Sequence, residues 1–318
     1  MKIRLAAILL AAMAIGAMAQ NPQSAPFQTP ALLIKESGSF TRAWLVAATK
    51  ASIRYRENEV AVDTVDAKVS DFKSIYVIEP REYTKAMDLY QARKYKEARE
   101  HFAAVKELYK PIQALQNSHA ALAAFYEMEC LRKLGDLEGL AAALQKFDKD
   151  PLTRETQLRQ LELYLLWDAV RAKSWDSIDN LAKERAKTRL PGEHRVQVAY
   201  CHGLALEELQ RPEDALLAYQ TAMTADAGAS EEITRQAALR VLAILSADPE
   251  VKRAIKAWGT GQERKNSSGY SKLTEASAVA TLFEKTLGAD TPLPAEFKEL
   301  LIYKPKIEES ANAGESKE

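Results

Sequence analysis

A helical phrase that returns at nearly regular intervals constrains this chain more than any other feature. It reads RKYKEAREHFAAV around Ala98, GDLEGLAAALQKF around Leu140, KSWDSIDNLAKER around Ile178 and QRPEDALLAYQTAM around Ala215. Each phrase sets a turn-like pair before a small or aliphatic residue. Further apolar or small side chains follow four and seven positions later, so one stripe of each helix is apolar. A period of this size implies stacked supersecondary units, none of which hides its apolar face alone. The sequence therefore predicts an array with a binding face rather than a closed globule around an active site.

The opening MKIRLAAILLAAMAIGAMAQ joins a basic start at Lys2 and Arg4 to an apolar run and then to Ala17, Met18 and Ala19. This pattern reads as a secretory signal peptide over residues 1–19, with cleavage after Ala19. The run falls short of the ~20 residues of a spanning helix, and no later segment reaches that length without charges, so no transmembrane segment is expected in the mature chain. No cysteine follows the cleavage site to carry a lipid, which points to a periplasmic or secreted protein rather than a lipoprotein. Basic and acidic residues balance at 44 each, and loss of Lys2 and Arg4 leaves a net charge of −2. Such a balance draws the chain toward neither nucleic acid nor anionic lipid.

Residues 20–30 contain Pro22, Pro26 and Pro30 and read as a flexible tether. Over residues 31–79 the period drops to two, in ALLIK, TRAWLVAAT, SIRYRE, VAVDTV and SIYVIEP, with turns at Gly38 and at Asn58-Glu59. About five short strands in this span predict a small β-meander or barrel. The segment resembles the small five-stranded barrels of the Sm-like type. That resemblance implies nucleic acid, but Arg42, Arg54 and Arg56 are interspersed with Glu57, Glu59 and Asp63, and export removes the chain from RNA. A solvated face is the reading, with no nucleic-acid partner.

From residue 80 to 258 the helical period dominates. The first unit offers Ala86, Leu89, Ala98, Phe102 and Val105; the second Met128, Leu131, Leu140, Leu144 and Phe147; the third Leu166, Ala169, Ile178, Ala182 and a discordant Arg185; the fourth Gly203, Leu206, Ala215, Tyr219 and Ala222. A fifth, degenerate pair runs through Leu242, Leu245, Ala254 and Trp258, interrupted by Asp248-Pro249. These positions resemble the small and apolar registers of the tetratricopeptide repeat (TPR) family, whose ~34-residue unit is a pair of helices. The resemblance implies a mainly α fold, a TPR-like helical-hairpin solenoid of four to five repeats behind the β-unit. Here the anchors Ala98, Leu140, Ile178, Ala215 and Ala254 stand 42, 38, 37 and 39 residues apart, so linkers or helices are longer than the family unit. Residues 259–269 read as a polar loop, and residues 270–303 as C-terminal capping helices with Ala278, Leu282 and Leu287 on the covering face. Residues 304–318 hold nothing to bury and read as a disordered tail.

Cys130 and Cys201 fall on the first helices of the second and fourth units. Two helix-packing steps of ~10 Å exceed the ~4.4–6.8 Å Cα separation of a disulfide, so both read as buried small hydrophobes, with a bridge as the alternative. His101, His119, His194 and His202 show no metal-ligand spacing, and no phosphate loop or nucleophile elbow occurs. No catalytic residue, metal or cofactor is assigned, and His202 reads as a packed helix residue. The adjacent pairs Glu207-Glu208, Glu231-Glu232 and Glu308-Glu309 point about 100° apart on a helix and read as solvated faces.

The TPR resemblance also implies which positions of each first helix line a concave groove. They are Tyr83, Met87 and Tyr90; Phe125, Glu129 and Arg132; Leu163, Trp167 and Val170; and Tyr200, Leu204 and Glu207. Aromatics and arginine recur there, as at interaction hot spots, although packing against a neighbouring unit explains some of them equally well. The resulting expectation is a non-enzymatic protein-protein interaction scaffold in the bacterial envelope, holding a peptide or partner subunit. Signal-bearing chains with such repeats look like the periplasmic coordinators of envelope machines such as the Tol-Pal system. The alternative is a cell-wall or glycan-binding module in which Trp44, Tyr55 and Tyr76 stack on sugars.

Overall fold

The computed structural model describes residues 27–226, 228, 230–288 and 291–304. The expected signal peptide, the expected tether up to residue 26 and the expected tail from residue 305 lie outside the described residues. The chain divides between Ile78 and Glu79 into two compact units. It is mainly helical, with a small five-stranded antiparallel sheet at its N-terminal end.

The sheet consists of β1 (Thr29–Ile34), β2 (Phe40–Ala48), β3 (Ser52–Arg56), β4 (Val65–Lys68) and β5 (Ser74–Val77), in the order β4-β3-β2-β1-β5. The first four strands follow one another as a meander, and β5 crosses back to pair with β1. Strand alternation sorts the side chains. Ala31, Leu33, Ala43, Leu45, Ile53 and Val77 are buried, whereas the register places Leu32, Arg42, Trp44 and Tyr76 together on the opposite face. Gly38, at φ 83°, supplies the left-handed corner between β1 and β2. A register shift between Leu45 and Ala47 lets the long second strand bend.

Two expectations for this unit need correction. Thr29 and Pro30 belong to β1 rather than to the tether, and the Pro30 carbonyl accepts a hydrogen bond from Ile78 N at 2.9 Å. Of VAVDTV only Val65 lies in a strand, as the first residue of β4. The short β3 ladder ends where Tyr55 meets Val65, so residues 60–64 have no strand to pair with, and Val60 and Val62 are each 87% exposed.

The helical unit runs α1 (Arg81–Gln91), α2 (Tyr95–Leu108), α3 (His119–Lys133), α4 (Leu137–Lys146), α5 (Glu155–Arg171), α6 (Trp175–Ala186), α7 (Gly192–Glu208), α8 (Pro212–Ala225), α9 (Glu231–Ala247), α10 (Pro249–Ala257) and α11 (Ser268–Leu282). Each helix through α9 packs against the one before it and the one after it. Within the pairs α1–α2, α3–α4, α5–α6 and α7–α8 the link is three residues long, and all four links share one geometry. The middle residues Arg93, Gly135, Lys173 and Gln210 have φ of 61°, 73°, 54° and 59°. The next residue donates its N–H back five positions, from Lys94 to Leu89 and from Asp136 to Leu131 at 2.9 Å, from Ser174 to Ala169 at 2.9 Å and from Arg211 to Leu206 at 2.8 Å. The left-handed residue itself donates three positions back at 3.0 Å in every case. This is the Schellman closure, which satisfies carbonyls that a helix end leaves orphaned.

Five residues beyond each corner sits an anchor, and Ala98, Leu140, Ile178 and Ala215 are all essentially fully buried. Corner and anchor therefore keep a fixed separation while the spacing between pairs varies. The variation lies in the longer links between pairs. Of these, Tyr109–Ser118 and Phe147–Arg154 are tied together: Asn117 N donates to Pro151 O at 2.7 Å, and the Asn117 and Thr153 side chains exchange bonds at 2.8 and 3.0 Å. Within α7–α8, Gly203 is required by close approach, because a Cβ there would lie 2.5 Å from the Tyr219 ring.

The fifth pair departs from the pattern. Asp248 ends α9 and also caps α10 through its side chain, with no left-handed residue between them. Next, α11 begins at Ser268, inside the segment expected to be loop, because Gly269 sits against the Glu250 carbonyl of α10. Its buried face is Leu273, Ala276, Ser277, Ala280 and Phe283, whereas Ala278 and Leu282 are exposed. A π-turn over Phe283–Leu287 shifts the register by one residue and returns Leu287 to the interior. The last element, Ala295–Ile302, is a 3-10 helix that packs on α11. Cys130 and Cys201 are buried and free.

Two stability predictions follow from the corners and the close approach. Lys173→Gly and Gln210→Gly, which relieve a left-handed side-chain residue, should each raise stability by about 0.5–1 kcal/mol, while Gly135→Ala lowers it by about 1 kcal/mol, read as shifts of the urea midpoint. Gly203→Ala should cost about 1–3 kcal/mol in the same measurement, because the Tyr219 ring has to move.

Candidate functional site

The inner helices of the pairs converge on a buried charge network. Glu129 and Arg132 lie one turn apart on α3 and so share a face. Arg132 grips the carboxylate bidentately, with Nε to Oε1 at 3.1 Å and Nη2 to Oε2 at 3.0 Å. Tyr164 of α5 donates its hydroxyl to Oε1 at 2.6 Å, and Tyr90 of α1 donates to Oε2 at 3.3 Å. One carboxylate thus binds three helices. Burial pushes its pKa upward, but the Arg132 charge and hydrogen bonds, then Lys133 and Tyr164, outweigh burial and hold Glu129 at about 2. Burial, reinforced by the Glu129 charge, pushes both the Tyr164 and Tyr90 hydroxyls far up, so they remain donors.

The network continues outward through the second face of Arg132. Its Nη1 reaches Glu232 of α9 at 3.4 Å, and Lys133 Nζ meets the same oxygen at 3.1 Å. Lys133 is almost completely buried and lies over the Tyr95 and Tyr90 rings, 5.4 and 6.0 Å from their centroids. Arg93, at the α1 corner, pairs with Glu231, which also holds Arg235 at 2.9 Å. Glu193 of α7 faces Arg132 Nη2 at 3.9 Å; burial and then the Glu129 charge raise its pKa.

Between α5 and α7 the contacts are amide and aromatic. Gln160 and Gln197 exchange hydrogen bonds at 3.0 and 2.8 Å, and Trp167 Nε1 donates to Gln197 Oε1 at 2.9 Å. Trp167 lies 6.0 Å from Tyr200, whose hydroxyl donates to Gln236 Oε1 at 2.7 Å. Glu207 accepts from the Tyr219 hydroxyl and lies 3.7 Å from Arg240.

These contacts place the twelve groove residues. Tyr83, Phe125, Glu129, Arg132, Leu163, Trp167 and Tyr200 are buried, whereas Met87, Tyr90, Val170, Leu204 and Glu207 are half-buried. The buried members pack on neighbouring helices: Tyr83 meets Phe102 and His119 edge-on, and Phe125 lies 6.3 Å from Tyr164. They do not form an open trough in this conformation.

Glu231 and Glu232, read as a solvated face, are about one-fifth exposed and ion-paired. Their partners Arg93 and Lys133, with Tyr164, Gln160 and Gln197, escaped the sequence reading. The available signal was charge of opposite sign at the end of one helix and the start of another. His202 is half-buried, with Nε2 2.8 Å from Asp179 Oδ1. Among the described residues no group of three or more His, Cys, Asp or Glu could hold a metal ion, and no helix is long and apolar enough to cross a membrane.

On the sheet, Trp44 and Tyr76 share a face and Tyr55 lies on the other, opposite Leu45. The Arg42 guanidinium covers the Trp44 ring at 5.0 Å, and Tyr76 is 58% exposed.

Compared with known proteins, the chain matches no family model, no curated protein and no solved structure.

The Glu129 shift fixes an acid limb. The folded pKa of about 2 lies below the ordinary 4.5, so the stabilisation is complete above pH 4.5 and fades as pH falls toward 2. Glu129→Gln should flatten that limb and also cost about 3–5 kcal/mol at pH 7 by depriving buried Arg132 of its counter-charge, whereas Glu129→Leu combined with Arg132→Met costs far less. Urea titrations at pH 7 and pH 3 read both effects.

Proposed function

We propose that the helical unit is a TPR-like solenoid of four regular hairpins and one degenerate pair, capped by α11 and the final 3-10 helix. Its role is that of a non-enzymatic scaffold binding a protein or peptide partner in the envelope. The observation that carries this reading is the fourfold recurrence of one corner and anchor, Arg93/Ala98, Gly135/Leu140, Lys173/Ile178 and Gln210/Ala215. Identical corners give every hairpin the same internal geometry, and hairpins of one shape stacked in sequence set their first helices side by side, where they present side chains to a common partner. Export through the leader ending at Ala19 belongs to the same reading and sets the compartment in which the partner is sought.

The half-buried residues Met87, Tyr90, Val170, Leu204 and Glu207 are the reachable part of the inner faces. Buried Phe125 and Trp167 hold the frame, so truncating them tests folding rather than binding. A second reading assigns the sheet to glycan, supported by Arg42, Trp44 and Tyr76 on one face. Trp44→Ala with Tyr76→Ala in the full chain should then abolish co-sedimentation with cell walls.

A photo-crosslinking residue placed at Met87, Val170 or Leu204 should capture one defined partner in intact envelopes. The same residue at Leu165 or Leu217, which are 60% and 63% exposed on α5 and α8, should not. Capture from Leu165 and Leu217 alone would refute the inner-face assignment.

A further inference from the structure

The first and last parts of the helical run meet at one point, and they meet through charge. α9 packs on α7, α8, α10 and α11, but reaches the α1 corner and α3 by the Arg93–Glu231, Arg132–Glu232 and Lys133–Glu232 pairs. Arg132 and Lys133 occupy the last turn of α3, and Glu231 and Glu232 the first turn of α9, so each charge also sits at the favourable pole of its own helix.

The two sides of this contact are built differently. The cations are held rigidly: the Arg132 side chain is 1% exposed and clamped by Glu129, and Lys133 is 4% exposed above two tyrosine rings. The anionic side fits less well. Ser230 stands at the N-cap of α9 yet its side chain makes no capping bond, and the Ser230 and Thr234 hydroxyls are buried with no partner. Buried unpaired hydroxyls cost free energy at the start of α9.

We infer that the Arg93–Arg132–Lys133 cradle is the point at which an acidic segment of the partner docks, and that the Glu231–Glu232 pair of α9 occupies it in cis until displaced. This rests on the inner-face reading above and names the chemistry of its partner. The cis occupant shows what the cradle selects, namely two adjacent carboxylates at the start of a helix. An incoming carboxylate pair replaces the outgoing one, so Arg132 and Lys133 are never left unpaired in their desolvated setting. A neutral segment cannot make that exchange.

The probe is a fluorescein-labelled peptide with the sequence of residues 230–240, SEEITRQAALR, and the readout is anisotropy with the full chain. Glu231→Gln with Glu232→Gln removes the cis charge without changing shape and should tighten peptide binding by about tenfold or more over wild type. The peptide SQQITRQAALR, which lacks both carboxylates, should bind neither protein. Arg93→Gln, at a half-exposed side chain, supplies a second variant: it should speed amide exchange at the start of α9 while leaving Arg132 in place. Equal affinity of wild type and the double variant, or equal binding of the Glu-Glu and Gln-Gln peptides, overturns the clasp. So does unchanged exchange in Arg93→Gln. Crosslinking from Met87 and Leu204 that persists under any of those results leaves the inner-face assignment standing and removes only the acidic switch.

Discussion

A carboxylate inside a protein is tolerable only when every lone pair is answered, and Glu129 makes that demand on the whole helical unit. Its donors come from α1, α3 and α5, so the relative placement of three helices is set by the satisfaction of one group. Arg132, drawn in as the counter-charge, then needs partners of its own and finds them on α7 and α9. Apolar packing along the anchors holds each pair of helices together. The charge network decides how pairs separated by up to 100 residues stand toward one another.

Periodicity along one helix was the legible part of the sequence. The anchors Ala98, Leu140, Ile178 and Ala215 and the small-large match of Gly203 with Tyr219 stand out because they depend on spacing within a single hairpin. The corners were only half visible. Gly135 announces a left-handed residue, but Arg93, Lys173 and Gln210 do not, since the geometry there is imposed by the flanking helices against the preference of the residue. Errors arose where a second partner decides the outcome. VAVDTV has strand composition but only its last residue, Val65, meets a partner strand, and α11 buries Leu273, Ala276 and Ala280 because its neighbours lie on that side.

The candidate site was legible by position and illegible by state. The registers implied by the repeat resemblance lie on the first helix of each pair, where seven of the twelve residues are buried. The reason lies in packing between consecutive helices, as in Tyr83 on Phe102 and Phe125 near Tyr164, and no pattern along a single helix encodes a contact with the next one. Glu231-Glu232 looked like a solvated pair because its helix neighbours were the only context available. Its true context is the far end of α3.

The links carry one further implication. Corners within pairs are all three residues long and identical in geometry, whereas the seams between pairs differ in length and absorb the unequal spacing. Chain length is thus free to vary at the seams and in the helices but not at the corners. A tag, a reporter or an extra loop grafted after α6 or α8 would leave every hairpin intact, while a single residue added at Gly135 or Gln210 would rotate the following helix by about 100° and turn its anchor toward water.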